Sequence, residues 1–437
     1  MKKYLILAIL LAFVLASCLP QDLQIPQSPL LRTLERKSGL IAYIGTDGNV
    51  YVSDQGGGNL SKLTDDADIT DSPSGENKYY QYPTWSLDGN KLAFVGLRVE
   101  GSQVTSELDV TDIENGKPTS VYSSSTEHPF YLYWSPDNSN LSYLSTTAGG
   151  QSIMLQTVPA TGGERQILDT GIQYYWSWAP DGQVMIVHAS RSTDATDKHL
   201  AFLRLDREVT EFGLDTIPAS FQAPAWSPDG SHILLADVNE QGENQIVLAD
   251  ATGSSEKTIG TFEINTAFAW SSDSEKFAYI SGKQELSAGT LGDLHIFDLV
   301  TSEEIGQDEN VLAFFWSPNG EKLVYFIPFI NNTSTGSGSD SGTNPQQQLV
   351  LQMNVFDVKT GEKSELFTFA PTSLFTEILP YFDQYHQSVT IWSPDNNNLV
   401  ISLLNADGKP GIAVVAASGN LEPRLLAEGL LAFWSWK

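Results

Sequence analysis

The side chains able to do chemistry are few in this 437-residue chain. There is one thiol, Cys18, and six imidazoles, at positions 128, 188, 199, 232, 295 and 386. A lone thiol has no disulfide partner within the chain. The histidines form no pair at the spacing of a helical or finger-type metal site, so no metal and no cofactor are expected. The acidic run Asp65-Asp66-Ala67-Asp68-Ile69-Thr70-Asp71 lacks the spacing and glycine of an EF-hand loop and reads as a solvated loop. No G-x-S-x-G phrase supplies a nucleophile. The densest mixture of stacking and polar groups is Tyr381-Phe-Asp-Gln-Tyr-His386. Its Asp383, Tyr385 and His386 join Tyr80, Tyr82, Tyr131 and Tyr174 as candidate ligand-binding residues. Aromatic faces with a few polar groups suit peptides or sugars. No residue is assigned a catalytic role.

What must position these groups is a repeat. The phrase Trp-Ser-Pro-Asp-Gly, or a close variant, begins at Trp85, Trp134, Trp178, Trp226, Trp270, Trp316 and Trp392, and a fragment recurs at Trp434. Successive tryptophans lie 49, 44, 48, 44, 46, 76 and 42 residues apart. Such a period is that of a propeller blade. Within the phrase Pro fixes the first corner, Asp bonds to nearby backbone and Gly tolerates the exit, so its Asp is a turn residue rather than a catalytic acid. Leu87, Ser272 and Ser274 replace preferred corner residues, and looser corners are expected there. Alternating apolar stretches such as Lys91–Val95, Lys276–Ile280 and Lys322–Phe326 follow the phrase as strands.

The expected fold is all-β: an eight-bladed β-propeller, or alternatively a seven-bladed one, with four antiparallel strands per blade. The N-terminal piece from Gly39 has the later strands of a unit, and the C-terminal piece Leu430–Trp434 has the first. Pairing them closes the ring and leaves no free edge. Loops sort by parity onto two faces. The long ones (97–107, 189–198, 282–293 and 328–348 within blades, 65–83 and 370–388 between them) share one face, where binding is expected.

The phrase resembles the WD-repeat-like blades of the TolB family, over about residues 39 to 437. That resemblance implies a propeller with partners in the cell envelope. TolB carries an α/β domain before its propeller, and related peptidases carry a hydrolase domain; neither pattern is matched here. The N-terminus reads as a secretory signal: Lys2 and Lys3, an apolar run from Tyr4 to Ala16, then Leu15-Ala16-Ser17-Cys18. That tetrapeptide resembles the lipobox of bacterial lipoproteins, which implies cleavage before Cys18 and lipidation of its thiol. The expected organisation is signal peptide 1–17, tether 18–38 and a single propeller domain 39–437. The expected location is extracytoplasmic, lipid-anchored to a bacterial membrane.

Charge narrows the partners. The formal net charge of −29 repels nucleic acid. The function expected is a module binding a protein, peptide or glycan at the envelope. The alternative is a propeller-type carbohydrate-active enzyme, a glycosidase or polysaccharide lyase, which needs converging carboxylates or a His–metal site on the loop face. Asp71, Glu76, Asp383 and His386 are the groups that would have to meet.

Overall fold

The computed structural model describes residues 37–69, 76–114, 116–147, 149–150, 152–192, 198–205, 208–219, 222–284, 289–333 and 346–437. Cys18 and its signal, most of the tether, and Asp71 lie outside the described residues.

The chain forms seven antiparallel sheets in a ring, a β-propeller. Six are four-stranded meanders whose innermost strands are Glu76–Trp85, His128–Trp134, Gln173–Trp178, Ala225–Trp226, Thr266–Trp270 and Ala313–Trp316. The seventh has six strands and takes in both ends of the chain. The expectation of eight blades is therefore corrected to seven. The reason is one uninterrupted strand, Arg424–Trp434. Its first half pairs with Pro410–Ala416, from Val414↔Arg424 to Gly411↔Glu428. Its second half pairs with Ile41–Gly45, from Gly45↔Gly429 to Ile41↔Trp434. Two repeats of the sequence thus merge into one sheet. The expected pairing of the two ends is what the structure shows, and Leu40 N–H donates to Ser435 Oγ at 2.9 Å beside it.

The tryptophans do more than fill space between blades. The indole N–H of Trp134 donates to Thr84 O (3.0 Å), that of Trp270 to Ala225 O (3.0 Å) and that of Trp316 to Ala269 O (3.1 Å). Trp392 donates to Phe315 O (2.9 Å) and Trp85 to Phe433 O (3.3 Å). Each acceptor is the residue just before the preceding tryptophan, so these five indoles wire their strands to the ones before them, whereas the Trp178 indole donates to Ser142 Oγ (3.1 Å) and that of Trp226 has no hydrogen-bond partner among the described residues. Buried polar groups need such partners, and this one also fixes the ring's spacing.

The corners are alike whatever their residues. Ser–Asp side-chain bonds hold Ser86–Asp88 (2.6 Å), Ser135–Asp137 (2.6 Å) and Ser227–Asp229 (2.7 Å). The corners with Leu87, Ser272 and Ser274 close the same backbone bond, Gly89 N to Ser86 O (2.9 Å) and Ser274 N to Ser271 O (3.1 Å). The looseness expected there is absent. Its cost appears instead as a left-handed Ser274, φ 60°.

Two of the long loops are strand in their described residues. Lys91–Glu100 and Gln103–Asp112 form a tight hairpin, and Lys322–Thr333 pairs with Gln346–Asp357 along its full length. Alternating residues such as Leu97, Val99 and Thr105 continue the strand pattern past the blade. The loop 370–388 is also ordered. It holds two short helices, α1 (Ser373–Ile378) and α2 (Phe382–Ser388), joined by a single turn of 3-10 helix over Leu379–Tyr381. Thr372 caps α1, accepting from Phe375 N, and Pro380 ends its hydrogen-bonding run.

Candidate binding site at the channel mouth

Innermost strands of a propeller have no neighbour on the channel side, so their backbone groups there need other partners. Helix α2 supplies them. Gln384 Oε1 accepts from Trp176 N–H (3.0 Å) and its Nε2 donates to Trp176 O (2.8 Å), as a paired strand would. Asp383 Oδ2 accepts from Ala223 N–H (3.1 Å), Gln387 Nε2 donates to Pro224 O (3.3 Å), and His386 Nε2 accepts from Trp316 N–H (3.1 Å). The apolar side of the plug packs on the opposite wall: Phe382 lies 4.7 Å from Phe314 between ring centroids, and Phe375 lies 5.9 Å from Phe326. The helix thus divides the channel into two chambers.

Burial disfavours the charged forms of the plug's ionisable groups. Asp383 is 4% exposed, and desolvation pushes its carboxyl up to about 6, against two accepted backbone N–H bonds. Desolvation pulls His386 down to about 4. Because its Nε2 accepts a backbone N–H, the neutral ring carries its proton on Nδ1.

The chamber on the long-loop face has a volume of about 600 Å³. Tyr82, Tyr131, Tyr174, Tyr175, Tyr381 and Tyr385 line it, with Gln81, Gln173, Gln384 and Glu377. Tyr82 and Tyr131 have φ of 55° and 44°, in the left-handed region. Both sit at bulges in innermost strands, where the register shifts between Gln81 and Thr84 and between Phe130 and Leu132. A bulky residue there is strained by about 1–3 kcal/mol, and a bulge re-aims its side chain. Both tyrosines are thereby turned to the channel. Tyr131 is nonetheless only 3% exposed; its hydroxyl donates to Gln384 O (2.7 Å), and its ring meets Tyr385 edge-on at 5.0 Å.

Of the residues expected to form a site, Tyr82, Tyr131, Tyr174 and Tyr385 surround this one chamber. Tyr174 is 2% exposed, its hydroxyl donating to Asp169 (2.9 Å). Tyr80 is elsewhere, its ring edge-on to Phe94 and its hydroxyl donating to Asp66 (2.6 Å). Asp383 and His386 face the opposite chamber. Glu76 stands at the far end of a hairpin, opposite Glu100. The acidic run is tied down in part by Lys78, 2.5 Å from Asp66.

The chamber's tyrosines follow a pattern in the repeat. The position three before each repeat tryptophan holds Tyr82, Tyr131 and Tyr175, then Ala223, Ala267 and Ala313, then Val389 and Leu431. Three consecutive blades offer tyrosine, and the next three offer alanine. Ala267 and Ala313 are buried in the same apolar cluster as Phe375, Ile378, Leu379 and Phe382. The alanines leave room for the plug and the tyrosines face what it leaves open.

One further cluster joins three strands. Ligand atoms of Asp169, His199 and Glu211 lie within 4.8 Å of one another, a grouping that sequence spacing does not reveal. The Arg191 guanidinium already lies 2.6 Å from Glu211 and 3.4 Å from Asp169 and supplies their positive charge.

No protein-family model matches the sequence, and no curated protein matches it. Among solved structures the chain is similar to one of an oligogalacturonate lyase in complex with manganese, at 16% identity over 87% of this chain and 97% of that one, TM-score 0.49. It is similar to the β-propeller domain of the Trilobed protease from Pyrococcus furiosus, at 11% identity over 80% and 96%, TM-score 0.47. It is also similar to TolB from Acinetobacter baumannii, at 15% identity over 77% and 79%, TM-score 0.34. TolB and other β-propellers are thus among the similar structures. At these identities the likeness is one of fold, which the seven sheets already display.

Proposed function

We propose that this protein is an extracytoplasmic, lipid-anchored binding module whose tyrosine-lined mouth engages a protein segment, peptide or glycan of the cell envelope. The observation that carries the reading is the pair of strained tyrosines, Tyr82 and Tyr131, turned into one chamber. Strain of this kind persists where the surrounding structure over-determines it, and it clusters at ligand clamps. The volume of about 600 Å³ is that of a ligand site, and tyrosine rings offer large stacking faces at low entropic cost. The anchor rests on the lipobox-like Leu15–Cys18 segment, and the envelope setting on that segment and on the TolB-like phrase.

The alternative is a carbohydrate-active enzyme: a glycosidase needs two carboxylates flanking a scissile bond, and a His–metal site is the other way such chemistry is done. Among the described residues, Glu377 is the one carboxylate that lines the mouth. In the Asp169, His199 and Glu211 group, two carboxylates already face the Arg191 guanidinium, so binding is the better-supported reading.

The test is recovery of partners from membrane extracts with purified protein lacking the first 18 residues. One stoichiometric envelope component, lost with the Tyr381→Ala variant at the rim, is expected. Recovery of none, together with turnover of a polysaccharide, would replace the module with an enzyme. In cells, Cys18→Ser is expected to move the protein from the membrane to the soluble fraction; retention on the membrane would remove lipidation as the anchor.

A further inference from the structure

The second chamber, on the face of the Trp-Ser-Pro corners, differs from the first in chemistry. Its volume is about 350 Å³, within the range of small-molecule sites. Four corner prolines, Pro136, Pro180, Pro228 and Pro318, contribute to its wall, and Trp226 and Trp436 are among its tryptophans. Three polar atoms of lining residues are buried without a hydrogen-bond partner: Trp226 Nε1, Trp436 Nε1 and Gln387 Oε1. The Trp226 indole lacks the bond to a carbonyl that Trp134, Trp270, Trp316 and Trp392 make. The Gln387 amide cannot be turned over to satisfy its oxygen, because its nitrogen already faces two carbonyls, Pro224 O and Asp383 O. His386 adds a fourth group. Its one hydrogen bond is at Nε2, which leaves the Nδ1–H donor without a partner.

An unsatisfied buried polar atom costs about 1–3 kcal/mol, and three of them belong to residues lining this one cavity. The residues that line the chamber carry three N–H donors and one acceptor with no partner among the described residues, set among apolar rings. It has no charge to spare: both Asp383 oxygens already accept, from Ala223 N–H and Gln384 N–H. We infer that this chamber is a second binding site, for an uncharged, mainly apolar small molecule whose carbonyl oxygens accept from the Trp226, Trp436 and His386 N–H groups. Flat rings of such a molecule stack on the indole and proline walls, and an N–H or O–H on it meets Gln387 Oε1. Anions are repelled by the chain's overall charge, and the chamber offers a cation no unpaired carboxylate. The site is independent of the tyrosine mouth, being separated from it by α2.

Nitrogen-15-labelled indoles report directly on this chamber. Caffeine and coumarin, both uncharged and carbonyl-bearing, are titrated into the protein lacking residues 1–18, with toluene as an acceptor-free control. The indole N–H signals of Trp226 and Trp436 are expected to shift with the two carbonyl probes. Trp436→Phe, which keeps a ring and removes the donor, is expected to weaken binding about fivefold, the worth of one hydrogen bond. Unchanged Trp85 and Trp434 signals in that variant show that the ring is intact. No shift of either indole at millimolar probe, equal binding of toluene, or equal affinity in Trp436→Phe and Trp226→Phe would each overturn the inference. Loss of binding in Tyr381→Ala would assign the probe to the mouth instead.

Discussion

Replacing Gln384 with alanine isolates the role of the plug. The side chain is 2% exposed, and its amide pairs with both backbone groups of Trp176, at 3.0 and 2.8 Å. It also donates to Tyr131 Oη at 2.8 Å. Truncation leaves the Trp176 N–H and C=O without partners on the channel wall, while Tyr131 keeps its bond to Gln384 O. Two orphaned backbone groups at about 1–3 kcal/mol each give a loss of about 2–6 kcal/mol. Water entering from the adjacent mouth would bring the loss to the lower end, since it can bridge the freed groups. An unfolding entropy of about 2.1 cal/mol/K per residue over about 400 residues gives about 0.8 kcal/mol/K, so the midpoint falls by about 2–7 °C. Differential scanning calorimetry reads this shift. Gln387→Ala is the internal control, because it removes only two long bonds, 3.3 and 3.4 Å. A Gln384→Ala midpoint within about 1 °C of the parent, or equal to that of Gln387→Ala, would refute the idea that α2 completes the innermost strands.

Two more outcomes follow from the same packing. Asp383 is raised from 3.8 to about 6, so its contribution to stability is complete below 3.8 and is lost as pH rises through about 6, a change of about 3 kcal/mol. His386 is lowered from 6.5 to about 4, so its contribution is complete above 6.5 and is lost as pH falls through about 4, by a similar amount. The two oppose each other between pH 4 and 6.5. Urea midpoints across that range are expected to fall more steeply toward acid in Asp383→Ala and less steeply in His386→Ala; slopes changing in the same direction would contradict the assignment. At the ring closure, Gly39 has φ 65°, and an added Cβ would stand 2.7 Å from Ser435 Oγ and 2.8 Å from Pro394 Cγ. Gly39→Ala is expected to cost about 1–3 kcal/mol in urea unfolding, and no loss would mean that this seam is slack.

The ring was legible in the sequence because its signals are local and repeated. The Trp phrase carries a turn and an indole that bonds the preceding strand, so each copy announces both a corner and a neighbour. The closing strand was legible too, since Leu430–Trp434 has no successor and Gly39–Leu63 has no first strand. The blade count was not, because it depends on whether Arg424–Trp434 breaks between its two partners, and nothing at Glu428–Gly429 interrupts the strand. The plug has a helical signal, since Leu374, Phe375, Ile378, Leu379 and Phe382 keep helical spacing. That short pattern was hidden by the 76-residue interval it shares with a long hairpin. Tyr80 and Tyr82 look equivalent in sequence. Only the bulge at Gln81–Thr84 sends them to different places, and a bulge leaves no mark in residue type.

The account's central claim is that binding takes place at the tyrosine mouth. A photo-crosslinking residue in place of Tyr381, 40% exposed on the rim, tests it in intact cells, with one in place of Ser272 on the corner face as the comparison. Adducts with an envelope protein, peptide or glycan from position 381 and none from position 272 are predicted. Adducts from position 272 alone, or from neither position, would contradict it.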